Sequence, residues 1–249
     1  EMCIRDRYVT SILIIILTVS VLSTNFNMLK QVEAETDPIT YLYFPFKAYP
    51  LGLEYCKNQG LAYVCLEGPF LLCYFAGLAI VNVTKVLNNE PDWFYTYNIT
   101  KDLDEWSHPS GFPQLDDYGN VWFSVIGSAD YHVMAKYIPT ENRCEYIDLG
   151  TYACGWTVLY YAGYIWTVSG PYLVKINTTT NTIVARYNVA PLDGCNYLLG
   201  VGNYIWITSQ ERWIAKYDTA TNQLVFVTDE YDATDPFGLA SVSYTHLTL

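Results

Sequence analysis

Three short stretches of the chain share one pattern: GNVWFS at 119–124, GYIWTV at 163–168 and GNYIWIT at 202–208. In each, a glycine turn signal precedes a tryptophan that stands in an apolar or β-branched run. A further glycine lies eleven or twelve positions before the aromatic residue of each repeat: Gly52 before Tyr63, Gly111 before Trp122, Gly155 before Trp166, and Gly194 before Trp206. With Gly238 as a fifth start, these glycines are 59, 44, 39 and 44 residues apart. A period of about 40–45 residues is that of one four-stranded propeller blade.

Local signals inside each repeat predict strands separated by turns. Strands are expected at 112–115, 121–125, 133–138 and 143–149 in the second repeat, at 172–176 and 182–189 in the third, and at 213–217 and 223–228 in the fourth. The first repeat is less regular, with strands at 53–55, 61–66, within 72–83 and at 93–99, and extra length around 73–79. No long 3.6-residue stripe or capping box is present, so no helix is expected.

The sequence therefore predicts an all-β fold, a β-propeller fragment of about four four-stranded blades from a six- or seven-bladed ring. The propeller region spans 45–240, with blades at 48–107, 108–150, 151–190 and 191–235 and the start of a fifth. A β-sandwich and a β-solenoid are the alternatives. Sandwiches do not usually repeat one phrase at a constant period, and solenoid coils have shorter periods.

Three residue types recur in register with the repeat. The tryptophans at 122, 166 and 206 are expected in the core or between stacked blades. Lysines fall at one position of the third strand, namely Lys136, Lys175 and Lys216. Asparagines end the turn that follows it, namely Asn142, Asn181 and Asn222, where asparagine tolerates left-handed backbone.

Composition favours a folded, strand-rich protein. Of the 249 residues 51% are hydrophobic, 15% are charged and 16% are aromatic, including 24 Tyr and 7 Trp. The net charge of −12 repels phosphate backbones and anionic membranes, so nucleic acid is a poor partner. The expected partner is an extracellular protein, a glycan or a small molecule.

The two ends differ from the propeller region. EMCIRDR at 1–7 and SVSYTHLTL at 241–249 resemble translated sequencing-adapter DNA, which predicts that they are artefacts of a metagenomic fragment. Residues 8–34 are predicted to be a signal peptide or a signal-anchor, because the apolar run at 11–22 is shorter than a membrane span and Val32-Glu33-Ala34 suits cleavage. The predicted location is extracellular or at the cell surface, with membrane contact only through this segment.

Two further features agree with export. N-glycosylation sequons begin at Asn82, Asn98 and Asn177. Outside the terminal strings there are six cysteines, expected to be disulfide-bonded in an oxidising compartment or buried as free thiols: Cys56, Cys65, Cys73, Cys144, Cys154 and Cys195. With no CxxC pair and only His108 and His132 outside the ends, no metal site is predicted.

The motif His108-Pro109-Ser110-Gly111, followed by Asp117-Tyr118-Gly119-Asn120-Val121-Trp122-Phe123, resembles the repeat of virginiamycin B (streptogramin) lyase-like propellers. The stretches VKINTTTNTIVARYNV at 174–189 and AKYDTATNQLVFV at 215–227 look more like YVTN surface-protein repeats, and NHL-type propellers are similar. The resemblance covers residues 48–240 and implies the propeller architecture.

The lyase resemblance also implies a test of activity. In that family the catalytic blade carries a histidine before the repeat glycine and a glutamate three positions after the tryptophan, and Mg²⁺ assists an elimination. Here the first position holds Leu51, Ser110, Cys154, Asp193 and Phe237, and the second holds Leu66, Val125, Ser169 and Ser209. Glu67 misses that register by one residue. No cofactor is therefore predicted, and Mg²⁺ belongs only to the lyase alternative.

Propeller connectivity separates the loops into two sets. The loops between strands two and three and between blades surround one end of the ring, here called the loop end, and the hairpin turns form the other, the turn end. The polar residues at the loop end are the candidate ligand site: Glu67, His108, Asp130, His132, Asp193, Glu211 and Arg212. His132 beside Asp130 suits a general base. Asn82 and Asn177 are expected at the turn end. An exported binding module is the leading interpretation, and a lyase whose catalytic blade lies elsewhere or a structural surface-layer component are the alternatives.

Overall fold

In the computed structural model, the described residues are 48–67, 76–103, 107–127, 132–150, 154–190, 195–209 and 214–226. They form four antiparallel sheets that follow one another along the chain, and within each sheet the spatial order of strands follows the sequence. This arrangement confirms the all-β prediction and is that of consecutive propeller blades. The predicted adapter strings, the signal segment and the start of a fifth blade lie outside the described residues.

The first two blades match the predicted strands with shifted ends. The first blade consists of β1 (Tyr49–Cys56), β2 (Leu61–Glu67), β3 (Gly77–Asn82) and β4 (Phe94–Asn98). The second consists of β5 (His108–Pro109), β6 (Gln114–Leu115), β7 (Val121–Ile126), β8 (His132–Ile138) and β9 (Arg143–Gly150). Its first strand is split, because β5 and β6 both pair with β7 and flank a segment containing Gly111 and Pro113.

The third and fourth blades are more regular. The third consists of β10 (Cys154–Tyr161), β11 (Tyr164–Ser169), β12 (Tyr172–Asn177) and β13 (Thr182–Asn188). The fourth consists of β14 (Cys195–Val201), β15 (Tyr204–Ser209), β16 (Ile214–Asp218) and β17 (Gln223–Phe226). The asparagines at 142, 181 and 222 have φ of 49°, 54° and 58°, the left-handed geometry expected of them.

The expectation that no helix is present is wrong for the first blade. Helix α1 (Val83–Leu87) joins β3 to β4, and its N-cap Asn82 accepts a hydrogen bond from the Lys85 backbone N–H at 3.0 Å. A single capped turn carries no apolar stripe, so periodicity does not reveal it. The extra length of this blade includes α1, whereas residues 77–79, predicted as extra length, belong to β3.

Close contacts join the first strands of successive blades. A Cβ on Gly52 in β1 would lie 2.7 Å from the Cα of Phe112, so only glycine fits there. A Cβ on Gly200 in β14 would likewise clash with the ring of Tyr161 in β10. Across two blades, the rings of Phe112 and Tyr197 are 5.3 Å apart between centroids. The first strands therefore converge, as the inner strands of a propeller do.

Buried side chains form layers between adjacent blades. One cluster joins the first and second blades through Tyr63, Phe123 and Tyr137, and the next joins the second and third blades around Trp122. The third joins the third and fourth blades around Trp166. Trp122 and Trp166 are at most 2% exposed, whereas Trp206 is half-buried. Trp122 and Trp166 are thus blade-stacking residues, because each packs toward the blade that follows it.

The recurring lysines lie directly opposite these tryptophans. Trp122 pairs with Lys136, Trp166 with Lys175, and Trp206 with Lys216. Each ammonium lies 5.1–6.0 Å from the centroid of its partner indole ring, a cation–π distance. The lysines recur at one position of the third strand because each forms a cross-strand pair with the tryptophan of the second strand.

The turn that leads into the GNVWFS stretch at 119–124 is held by Asp116, which is 5% exposed. Its carboxylate accepts four hydrogen bonds of 2.9 Å, from the backbone N–H groups of Tyr118 and Asn120, the Asn120 side-chain amide and the Trp122 indole N–H. The turn and the buried tryptophan after it thus share one acceptor.

The cysteines in the described part are not paired. Cys56, Cys65 and Cys144 are free thiols in or beside the cluster between the first two blades. Burial raises the pKa of Cys144 to about 12, and burial likewise raises the pKa of Cys65. Disulfides are thus not confirmed for these three. Cys73, and the side chains of Cys154 and Cys195, lie outside the described residues.

Candidate functional site

Two predicted site residues meet at the loop end of the first two blades. Glu67 is the last residue of β2, and His108 begins β5 of the next blade. Their closest atoms, Glu67 Oε1 and His108 Nε2, are 3.5 Å apart, an ion-pair distance when the imidazole is protonated. Their side chains are 17% and 16% exposed. The pair is therefore mostly shielded but open to solvent on one side.

The environment of Glu67 favours its neutral form. Burial raises the pKa of Glu67, and the adjacent His108 lowers it by a smaller amount. A carboxyl group whose ionisation depends on its neighbour is typical of binding and catalytic sites, although structural ion pairs show it too. The chemistry available is hydrogen bonding and proton exchange with a polar ligand.

Buried serines hold the backbone beside His108. Ser107 and Ser110, at most 4% exposed, stand on either side of the short strand β5. The Ser110 N–H donates to the Ser124 carbonyl at 2.9 Å, and the two hydroxyls are 2.9 Å apart. These bonds attach the segment to β7 and so fix the position of His108 relative to the second blade.

An exposed tyrosine lies next to the pair. Tyr49 of β1 is directly opposite Glu67 of β2, and it is 45% exposed. Directly opposed residues project from the same face of a sheet with their Cβ atoms about 5 Å apart. Tyr49 was not predicted from the sequence because a single tyrosine among 24 gives no signal. Tyr49, Glu67 and His108 together are called the rim site.

His132 lies at the same end of the second blade but is buried. His108 and His132 both pair with Ile126, on its two sides, which places them in one row across β5, β7 and β8. Two strand spacings separate them by about 10 Å between backbones. His132 is 6% exposed, so it contributes to the packing of the blade. The other predicted site residues, Asp130, Asp193, Glu211 and Arg212, lie outside the described residues.

A second titratable carboxyl, Glu54, was not predicted from the sequence. It lies on β1 and pairs with Tyr63 of β2. Burial raises the pKa of Glu54 to about 7. Its position on a first strand places it toward the inside of the blade array, where water is limited. The alternation of β1 was too weak in the sequence to show which way this residue faces.

The sequon asparagines take part in local backbone caps. Asn82 caps α1, and Asn98 accepts from the Thr100 N–H at 3.0 Å at the start of a 3-10 helix (Ile99–Lys101). Asn177 accepts from the N–H groups of Thr179 and Thr180 at 2.9 and 3.0 Å. Asn82 and Asn177 end third strands, which places them at the turn end, and Asn98 ends a fourth strand at the loop end. Their glycosylation stays a prediction.

Nowhere in the described ranges do three or more His, Cys, Asp or Glu side chains gather as metal ligands would. Both helices seen in those ranges are single short turns, and neither approaches the length and apolar character needed to cross a bilayer.

Comparison with solved structures supports the fold. The chain is similar to two crystal structures of the extracellular domain of BT4673 from B. thetaiotaomicron, a proposed one component or hybrid two component system. The TM-scores are 0.54 and 0.55 at 13% and 12% identity, over 74% and 75% of this chain. It spans about a quarter of those chains, 24% of each.

A protein of unknown function from Bacteroides caccae is similar over 80% of this chain and 68% of its own, with TM-score 0.50 and 8% identity. No protein-family model matches the chain, and no curated protein matches it. At these identities the likeness concerns the fold, which is that of propeller-type domains, and function has to be argued from sites.

Proposed function

We propose that the chain is part of an exported or cell-surface β-propeller that binds a glycan at the rim site. The observation that carries the proposal is the contact between Glu67 and His108, which two different blades bring to 3.5 Å at the loop end. A half-exposed tyrosine ring beside a carboxyl group and an imidazole offers an apolar face and directional polar groups together. Sugars present both kinds of surface.

The extracellular setting is supported by two lines of reasoning. Structures similar to this chain are extracellular domains of a proposed one component or hybrid two component system, and the sequence carries an apolar segment and sequons that suit export. A loop-end site is also where propellers present variable side chains on a rigid scaffold.

The lyase alternative is supported less well. It draws on the histidine–glutamate contact, but these residues come from neighbouring blades and from other registers than the family pattern. Glu67 and His108 supply one carboxylate and one imidazole, whereas Mg²⁺ prefers several oxygen ligands in octahedral geometry. The rim site therefore does not fit the magnesium ion of that family. The surface-layer alternative predicts self-association, which sedimentation of the full chain measures.

The test is a glycan array probed with the full chain and with three variants. Tyr49→Ala, Glu67→Gln and His108→Gln should each weaken binding to the glycans bound by wild type by about tenfold, the effect of losing one good contact. Glu90→Gln is the matched control, because Glu90 is an exposed carboxylate of the same blade near the opposite end. The proposal fails if no glycan is bound, or if the three variants bind as Glu90→Gln does.

A further inference from the structure

The first two Trp–Lys pairs differ in what their ammonium groups contact. Lys136 is 7% exposed, and its Nζ donates to the Thr178 carbonyl at 2.9 Å and to Asn181 Oδ1 at 3.0 Å, both in the hairpin turn of the third blade. Asn181 in turn donates from its amide to Glu145 of the second blade. The first of these ammonium groups is thus bound by two oxygen atoms of the following blade.

Lys175 occupies the same register one blade later but lacks these oxygens. Its Nζ lies 3.8 Å from the centroid of the Tyr164 ring and 5.1 Å from that of Trp166. No described residue accepts a hydrogen bond from this ammonium or forms an ion pair with it within 4.0 Å. Aromatic faces attract the cation but accept no strong hydrogen bonds, so its N–H groups remain available.

The difference follows from the residue after the lysine of the following blade, which is Ile176 in the case of Lys136 and Tyr217 in the case of Lys175. The Tyr217 hydroxyl, one position after Lys216, donates to Asn222 Oδ1 at 2.8 Å, as Tyr137 does to Asn142 at 3.0 Å. In the third blade this position is Ile176, which leaves Asn181 Oδ1 free to accept from Lys136. The corresponding oxygen of the fourth blade, Asn222 Oδ1, accepts from Tyr217 instead of from the lysine of the preceding blade.

Lys175 faces the space between the third and fourth blades. Its partner Trp166 packs in the cluster shared with the fourth blade, and the Trp166 and Tyr217 rings are 6.0 Å apart between centroids. Lys175 is half-buried, and burial lowers its pKa, with no nearby carboxylate contributing to the shift. A partly desolvated cation without a counter-charge gains from any oxygen acceptor that reaches it.

We propose that Lys175, with Tyr164 and Trp166, forms a second binding site, separate from the rim site, that takes a small organic carboxylate. A carboxylate carries two oxygens on one carbon and so replaces the pair of oxygens that Lys136 receives from the third blade. The negative net charge of the chain does not prevent this, because charges farther than about 10 Å are screened at physiological salt.

The site is tested by NMR on the full chain labelled with ¹³C-lysine and titrated with sodium acetate against sodium chloride at equal ionic strength. The ring currents of Tyr164 and Trp166 should separate the Cε–Hε signal of Lys175 from those of Lys57 and Lys101, which are exposed. We expect a saturable shift of the Lys175 signal at millimolar acetate, about −4 kcal/mol of binding, and none at the two exposed lysines. A shift shared by all three lysines would mean an adventitious ion only and would overturn the proposal.

Two variants separate this site from a general effect of charge. Lys175→Met keeps the apolar stem and should abolish acetate-dependent changes in the Tyr164 and Trp166 ring signals. Tyr217→Phe keeps the ring packing but releases Asn222 Oδ1, so Lys175 gains an internal acceptor and acetate should bind about tenfold more weakly. Unchanged acetate affinity in Tyr217→Phe, or saturable ring shifts retained in Lys175→Met, contradicts the proposal.

Discussion

Replacing Asp116 with asparagine should destabilise the protein far more than its small change in shape suggests. Asp116 Oδ1 accepts from two backbone N–H groups, while Oδ2 accepts from the Asn120 amide and the Trp122 indole, all at 2.9 Å. An asparagine replaces one of these two oxygens with an NH₂ group, which donates hydrogen bonds and accepts none. In either orientation of the amide, two of the four donors therefore lose their acceptor. Because Trp122 is fully buried, its indole N–H finds no water as a substitute.

The expected loss in the free energy of unfolding is about 2–3 kcal/mol for Asp116→Asn and about 3–4 kcal/mol for Asp116→Ala, since one buried unsatisfied donor costs about 1–3 kcal/mol and the loosened turn adds about 1 kcal/mol. Urea unfolding followed by tryptophan fluorescence measures both. Asp117→Asn is the matched control, because Asp117 is the exposed neighbour in the same turn and should cost less than about 0.5 kcal/mol.

A double-mutant cycle identifies the contact responsible. Trp122→Phe removes the indole N–H, so the combined variant with Asp116→Asn should show a coupling of about 1–2 kcal/mol. The reasoning is refuted if Asp116→Asn unfolds within about 0.5 kcal/mol of wild type, or if the two substitutions add without coupling.

Two further predictions concern backbone strain and pH. Ala162 and Gly163 form a two-residue hairpin turn with φ of 52° and 79°. Ala162→Asn creates the preferred Asn-Gly turn and should raise the free energy of unfolding, measured in urea, by about 0.5–1 kcal/mol, whereas Ala162→Val should lower it. Burial raises the pKa of Glu54 to about 7 from 4.5, so its neutral form stabilises the fold fully below pH 4.5, and this contribution is lost as the pH rises through 7. Glu54→Gln should remove about 1–2 kcal/mol of the decline between pH 5 and 8, after allowance for solvent screening, and an unchanged pH profile of unfolding would contradict the assignment.

The sequence predicted the blades well because each depends on local signals that recur. Gly163 followed by Tyr164-Ile165-Trp166 predicts a turn and the start of a strand within four residues. The same signal recurs at a constant period, which excludes other folds. The short helix after Asn82 was not predicted, because a single capped turn shows no hydrophobic periodicity. The sequence left open whether Cys65 and Cys144 are disulfide-bonded or free, because an even number of cysteines indicates the compartment and not the pairing.

The candidate sites were predicted in part. Propeller connectivity placed Glu67 and His108 at one end of the blades, but only the three-dimensional packing brings residues 41 positions apart to 3.5 Å. Tyr49 joins them through strand pairing with Glu67, a register that a single sequence does not encode. His132 was predicted at the same end, and its burial was not predicted. Residues 132–137 of β8 are all buried, so the strand shows no alternation of buried and exposed positions from which the burial of His132 could be read.

Departures from the repeat are more informative about function than the repeat itself. Trp122 and Trp166 pack between successive blades in the same way, so their packing is a property of the repeat. Position 176 is isoleucine, whereas the same register holds tyrosine at 137 and 217. Each tyrosine donates a hydrogen bond to the turn asparagine of its own blade, and in the blade without one the turn asparagine accepts from the lysine of the preceding blade. Lys136 is bound in this way, whereas the corresponding Asn222 of the fourth blade accepts from Tyr217. With the proposed second site, one lysine position is structural in the second blade and binds a ligand in the third, and the residue after the lysine of the following blade, Ile176 or Tyr217, distinguishes the two cases.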